Sequence, residues 1–188
     1  MDPINELKNE HEAVLVTLNV LQRIAAAISS AGRIEQSEDV EQLLDFFRVF
    51  VDTCHHGKEE DYLFPALEQL GVSRNGGPIG VMLREHEQGR SEVRAMRSAF
   101  EAYRGGDTSA AAEFASHAAV YVGLLRRHID KENAVLFPIA DSRLSTVRRI
   151  SLEQAFEKLE QERIGAGRHE AFHRMIEDLG ERYLQASL

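Results

Sequence analysis

The sequence predicts an all-α protein, an antiparallel up-and-down four-helix bundle with a C-terminal helical extension. Three observations predict it. Apolar residues recur at helical spacing along most of the chain, and strand patterns are nearly absent. Turn signals interrupt that rhythm at roughly thirty-residue intervals. The pattern of the first two helices is also written a second time: "HHGKEEDYLFP", starting at His55, returns as "HIDKENAVLFP", starting at His128. Both stretches reduce to His-x-x-Lys-Glu-x-x-x-Leu-Phe-Pro. Two like helix hairpins joined by short turns most simply close into one antiparallel bundle.

The first helix opens with Asp2 as cap and Pro3 in its first turn, and Gly32 is placed to end it. Between them Ile4, Leu7, His11, Val14, Leu18, Leu21, Ala25 and Ile28 form one inward stripe. A second helix is expected from near Ser37 to beyond Pro65, where the missing N–H must kink or end it. "GVSRNGGPIG" is a loop, and Pro78 opens a third helix whose stripe is Ile79, Met82, His86, Gly89, Val93, Met96, Phe100 and Tyr103. This is the first stripe again, with Glu10-His11-Glu12 answered by Glu85-His86-Glu87. "GGDTS" separates it from a fourth helix that runs to Pro138. Residues 1–141 are assigned to the bundle and residues 142–188 to the extension. In the extension Ser151, with Gln154 at capping-box spacing, is expected to open one helix, and Gly165 and Gly167 to divide it from another.

The 188 residues suffice for one full core with a small appendage. A hydrophobic share of 43% and a charged share of 28% are those of a soluble globular protein. The formal charge of −9, without a basic block, argues against nucleic acid and anionic membrane as partners. The lone Cys54 excludes an internal disulfide and suits a reducing cytoplasm. "MDPINELKNE" lacks the charged start and apolar run of a secretory leader. No nucleophile triad, phosphate-binding glycine loop or dinucleotide fingerprint stands out, and "GVSRNGG" has no strand before it.

The doubled motif has a geometric consequence. His11 lies about eighteen residues before the end of the first helix and His55 about eighteen after the start of the second, so at ~1.5 Å per residue each is ~27 Å from the shared turn. The two stand level, and the same count places His86 level with His128. Glu59 and Glu132 follow their histidines by one turn on the same face. Six side chains, His11, His55, Glu59, His86, His128 and Glu132, are therefore expected in one cross-section of the bundle. Four imidazoles and two carboxylates buried without partners would be costly, and a pair of metal ions removes the difficulty. One carboxylate and two imidazoles per ion is a recurring di-iron or di-manganese arrangement in helix bundles. Zinc favours closed four-coordinate sites. Iron is therefore the expected metal and manganese the alternative. A histidine-bearing bundle without metal is the bland reading, and metal analysis separates the two.

At these residues the chain resembles the hemerythrin family in its bacterial HHE cation-binding branch, over about residues 1–141. The resemblance rests on the order His, His-x-x-x-Glu, His, His-x-x-x-Glu and on the doubled Leu-Phe-Pro. It implies a non-haem di-iron centre ligated by the six residues above, with Glu59 and Glu132 as bridges. Oxygen-carrying members have a fifth histidine four residues from another on the third helix; here those positions are Met82 and Arg90. The reduced set implies binding of, or reaction with, a small oxidant such as oxygen, peroxide or nitric oxide. A peroxide- or nitric-oxide-consuming oxidoreductase is one form of this. A non-catalytic sensor or iron-handling protein, in which metal state alters docking of the extension, is the alternative.

Other residues are expected around the layer. Glu60 is a spare carboxylate beside Glu59, opposed in the other copy by Asn133. Tyr62 and Tyr121 are expected to face inward as packing groups with a chance of hydrogen bonding near the metal. His56 points about 100° away from His55 on an ideal helix, to an outer or supporting position. His117 faces inward but ~16 Å along the helix from His128, too far to share its ion. Cys54 is expected to be a small buried residue. In the extension His169 and His173 share one face near Glu157, Glu160, Glu162 and Glu170. They are placed either on a solvated helix or as a donor closing the open end of the bundle.

Overall fold

The computed structural model describes residues 1–165 and 167–184, and every regular element among them is helical. Asp2 accepts from the Ile4 and Asn5 amides and Pro3 enters the first turn, starting α1 (Pro3–Ala31). Gly32, at φ 68°, ends it by donating to the Ile28 carbonyl, as a left-handed cap requires. The second rod is α2 (Ser37–Phe46), a π-wound stretch Phe47–His56, a π-wound turn Glu59–Leu63 and then α3 (Phe64–Glu68), with helical dihedrals at each junction. The third is α4 (Pro78–Arg104). The fourth is α5 (Ala110–Lys131), a π-wound turn Glu132–Leu136 and α6 (Phe137–Arg143).

The two prolines do not end their rods. Just before each, the helix widens: the Phe64 amide donates to the Glu59 carbonyl and the Phe137 amide to that of Glu132, five residues back. A wider turn relieves the clash of a proline ring with the carbonyl four residues earlier, and each proline then sits in the first turn of the next α-segment.

α1 packs against α5, α5 against α4, α4 against the second rod, and that rod against α1, the neighbour order of an up-and-down bundle. The core is split in two. Along α1 the apolar stripe reads Ile4 and Leu7, then His11, then Val14 and Leu18. The fourth rod runs from Tyr121 and Leu125 through His128 and Glu132 to Leu136 and Phe137. The polar layer lies where the two apolar clusters part. α1 is also long and apolar enough to cross a bilayer by composition alone. Its stripe, with Glu10 and His11, is buried inside the bundle.

The extension is two helices, α7 (Thr146–Arg163) and α8 (Arg168–Leu184). Gly165 and Gly167, both at positive φ, lie between them as the sequence suggested. The start of α7 differs from expectation. Ser145, not Ser151, caps it by accepting from the Arg148 amide, and Ser151 sits inside the helix bonded to the Val147 carbonyl. α7 buries Leu152, Phe156 and Leu159 against α1 and the π-wound segments, and α8 returns along α1 through Phe172 and Leu179. The extension thus covers a side of the bundle rather than closing its end.

Candidate metal centre

The four histidines and two glutamates of the doubled motif meet in one layer. Their side chains are at most 2% exposed. His11 and His55 bring their Nε2 atoms to 3.1 Å, and so do His86 and His128. Glu59 spans the pairs, with Oε1 3.8 Å from His55 Nε2 and Oε2 3.4 Å from His86 Nε2. Glu132 Oε2 lies 3.2 Å from His11 Nε2 and 3.3 Å from His128 Nε2.

Each outer ring nitrogen faces an oxygen. His55 Nδ1 is 2.8 Å from Glu10, His128 Nδ1 3.1 Å from Glu85, His86 Nδ1 2.6 Å from Glu60 and His11 Nδ1 3.0 Å from Asn133 Oδ1. The bracing follows the repeat. The residue before the histidine of α1 or α4 holds the ring on the next rod. The residue after each layer glutamate holds the ring on α4 or α1. With Nδ1 donating outward, every Nε2 presents a lone pair inward.

The layer therefore points acceptors at acceptors. Four nitrogen lone pairs converge with the oxygens of Glu59 and Glu132, and none of those carboxylate oxygens has a hydrogen-bond partner. Burial, and then the Glu132 charge beside it, hold the Glu59 carboxyl well above the usual range. Burial also holds the His55 and His86 imidazoles below their usual range, whereas the Glu132 carboxylate beside it raises His128 to about 9. Bound cations would satisfy this arrangement. Two donors each ~2.1 Å from one ion at right angles lie ~3.0 Å apart, which both nitrogen pairs match. The donors form two buried groups able to hold a metal ion, one built on His11, His55, Glu59 and Glu132 and the other on Glu59, His86 and His128 with His56 nearby.

The lysine of the motif acquires a role that sequence reading had not assigned. Lys58 is fully buried, its Nζ 2.6 Å from Glu6 and 2.5 Å from both Glu10 and Glu160. It neutralises the carboxylate that holds His55. Lys131 repeats the contact to Glu85 but is 42% exposed. Glu10 and Glu85 were also missed as functional groups; their signal was the doubled Glu-His pair on the first and third helices. Replacing either by alanine is expected to weaken metal affinity about 10–100-fold, read by competition with a chromophoric chelator.

Several expectations are corrected. His56 is buried and within the layer: one of its ring nitrogens lies within 4.8 Å of donor atoms on Glu59, His86 and His128. His56 still points about a quarter turn away from His55 along the π-wound Phe47–His56, but α4 covers that face of the rod, and His56 stacks there on His86. Glu60, expected as an extra ligand or a supporting group, takes the supporting place: it braces His86 and binds Arg90 at 2.6 Å. Met82 packs in the lower apolar cluster and Arg90 pairs with Asp52 at 2.6 Å, so neither stands in for a fifth histidine. Tyr121 is buried edge-on against Phe47 at 4.9 Å, and Tyr62 is half-buried with Phe156 at 6.4 Å. His117 is half-buried and bound to Glu92 at 2.8 Å. Cys54 is buried as expected, and burial pushes its thiol up to about 12.

His169 and His173 supply no donor to the layer. Their rings meet edge to face at 4.8 Å, and His169 leans on Phe50 beside a cleft shared with Glu10 and Glu160. Among the described residues the extension is linked to the centre by a line from Glu160 through Lys58 and Glu10 to His55.

The comparisons with known proteins agree with this site. The family described as "Hemerythrin HHE cation binding domain" matches residues 2–140. Uncharacterized protein Rv1995 of Mycobacterium tuberculosis and uncharacterized protein Mb2018 of Mycobacterium bovis are each 28% identical over 152 residues, covering 78% of this chain and 59% of their own. The chain thus spans about three fifths of the length of the curated relatives it matches. No solved structure matches it. With the residues of the layer inside the matched segment and their donors arranged for cations, the chain belongs to the hemerythrin HHE cation-binding domain family.

Proposed function

We propose that this protein is a non-haem di-iron protein that binds or reacts with a small oxidant, namely oxygen, peroxide or nitric oxide. The observation that carries the reading is the pair of unpartnered glutamates set between two pairs of inward-facing imidazoles. Mixed nitrogen and oxygen donors suit iron, with manganese as the alternative. Two imidazoles and two shared carboxylates leave an ion that takes six donors with positions to spare for a small ligand. The bound irons would supply two electrons and Lewis acidity. The chain's own residues do the rest: the four Nδ1 contacts fix ring orientation, and the apolar clusters above and below exclude bulk water.

A sensor or iron-handling role is the second reading. It is favoured by the line Glu160, Lys58, Glu10, His55, which ties the extension to one metal position and not to the other. The proposed setting is the reducing cytoplasm, with neither nucleic acid nor membrane as a partner.

Anaerobic purification is expected to yield two iron ions per chain. Admitting oxygen and then peroxide is expected to produce near-ultraviolet absorption from the oxidised pair. Sustained oxygen evolution from peroxide identifies an enzyme; a single-equivalent colour change identifies a sensor or store. A protein that takes up neither iron nor manganese on reconstitution ends both readings.

A further inference from the structure

A cavity of about 270 Å³ opens between the Phe47–His56 stretch and α4. Phe47, Val51, Gly89, Val93 and Tyr121 give it a mostly apolar wall, and His56 is part of that wall. Four arginines line it, and each has a carboxylate partner among the described residues: Arg90 binds Asp52 and Glu60 at 2.6 Å, Arg48 binds Asp45, Arg94 binds Glu87 and Arg97 binds Glu41. The volume falls below that of pockets for drug-sized ligands, so a small uncharged molecule is the occupant it fits.

His56 is the unexplained group. It is 3% exposed, and among the described residues neither ring nitrogen has a hydrogen-bond partner. The Asp52 carboxylate, 3.7 Å from Nδ1, is beyond reach. Nor is the ring placed as a further ligand to the ion of His86 and His128. It stacks on His86 with centroids 3.8 Å apart and planes within 14°. Imidazole lone pairs lie in the ring plane, so two such rings direct them side by side and not onto one ion. A buried imidazole with an unused N–H beside a metal layer and an apolar cavity is arranged to donate to something that arrives.

We propose that this cavity is the access and holding site for a small uncharged ligand of the metal pair, a diatomic gas or hydrogen peroxide, and that His56 holds that ligand by a hydrogen bond, a role that rests on the di-iron reading above. Gly89 keeps the route open. A Cβ there would meet only Tyr121 Cε2, at 3.6 Å, so a larger side chain enters the cavity without striking backbone.

The test uses the iron-loaded full chain, with nitric oxide as probe followed by stopped-flow absorbance. His56→Phe keeps the stacked ring and removes the N–H; it is expected to retain full iron content and to speed nitric oxide dissociation about tenfold. Gly89→Leu is expected to slow association at least tenfold. Parental rates in both variants overturn the proposal. Iron loss in His56→Phe also overturns it, because the ring would then be a ligand. Xenon NMR under pressure tests the cavity in any metal state. Xenon bound by the parent and excluded by Gly89→Leu supports the site, and its absence from the parent overturns it. A parent chain that takes up no iron defeats the di-iron reading instead, an outcome that iron analysis alone reports.

Discussion

Changing Glu59 and Glu132 together to methionine is expected to stabilise the metal-free protein while abolishing metal uptake. Both carboxylates are fully buried and none of their oxygens has a hydrogen-bond donor. Without a cation Glu59, whose carboxyl burial holds well above the usual range, opposes folding by about 1–3 kcal/mol, whereas His128 beside Glu132 offsets the burial of that carboxylate, so their joint removal should raise the unfolding free energy by about 1–3 kcal/mol. Methionine fills similar space and adapts to an irregular gap. Denaturant unfolding with chelator, on the parent and the double variant, measures the difference. The same experiment with iron present should reverse the order, because metal at 1,000 times its dissociation constant adds about 4 kcal/mol to the parent alone. A double variant less stable than the metal-free parent would mean that the protein itself satisfies these carboxylates, and the cation reading would fall with it.

Lys58→Met is expected to destabilise the protein by about 3 kcal/mol or more, at the lower end of the cost of breaking a buried ion pair because Glu6 and Glu160 are partly solvated. Glu10 loses its cation while still facing His55, so iron affinity should fall as well. Lys131→Met supplies the contrast. Lys131 occupies the same place in the other copy of the motif, yet it is 42% exposed and pairs with a partly exposed Glu85, so its loss should cost no more than about 1 kcal/mol. Equal costs for the two substitutions would show that α7 does not set the energetics of the first copy. Thermal and denaturant unfolding of both, with chelator-competition titrations, decide the matter.

The asymmetry between the two lysines has a structural cause. Every residue from Cys54 to Glu59 is buried, because the bundle encloses one side of that segment and α7 the other. Phe156 lies 5.6 Å from Lys58 Nζ, and Leu159 and Arg163 lie over Gly57. Lys131, by contrast, remains 42% exposed. An internally repeated pair of hairpins thus becomes two unlike half-sites through what packs on only one of them.

The six layer residues were legible from the chain alone because three independent regularities coincide on them. Helical period sets which face they occupy, equal distances from the turns set their level, and the repeat states the pattern twice. The same regularities made the bundle legible, along with Asp2, Pro3 and Gly32 at the ends of α1. Those are local properties of α-helices, and one sequence suffices to read them. The burial of His56 was not legible, since it depends on α4 packing over that face of the rod, where His56 meets His86. Nor was the chain from Glu160 to His55, which joins residues on three separate elements. The sequence determined by itself which donors share a level in the bundle. Only the tertiary structure decided which carboxylate braces which ring, which lysine is buried, and where the unpaired histidine faces a cavity. Each of those depends on contacts between elements distant in the chain, and no spacing along a single helix encodes them.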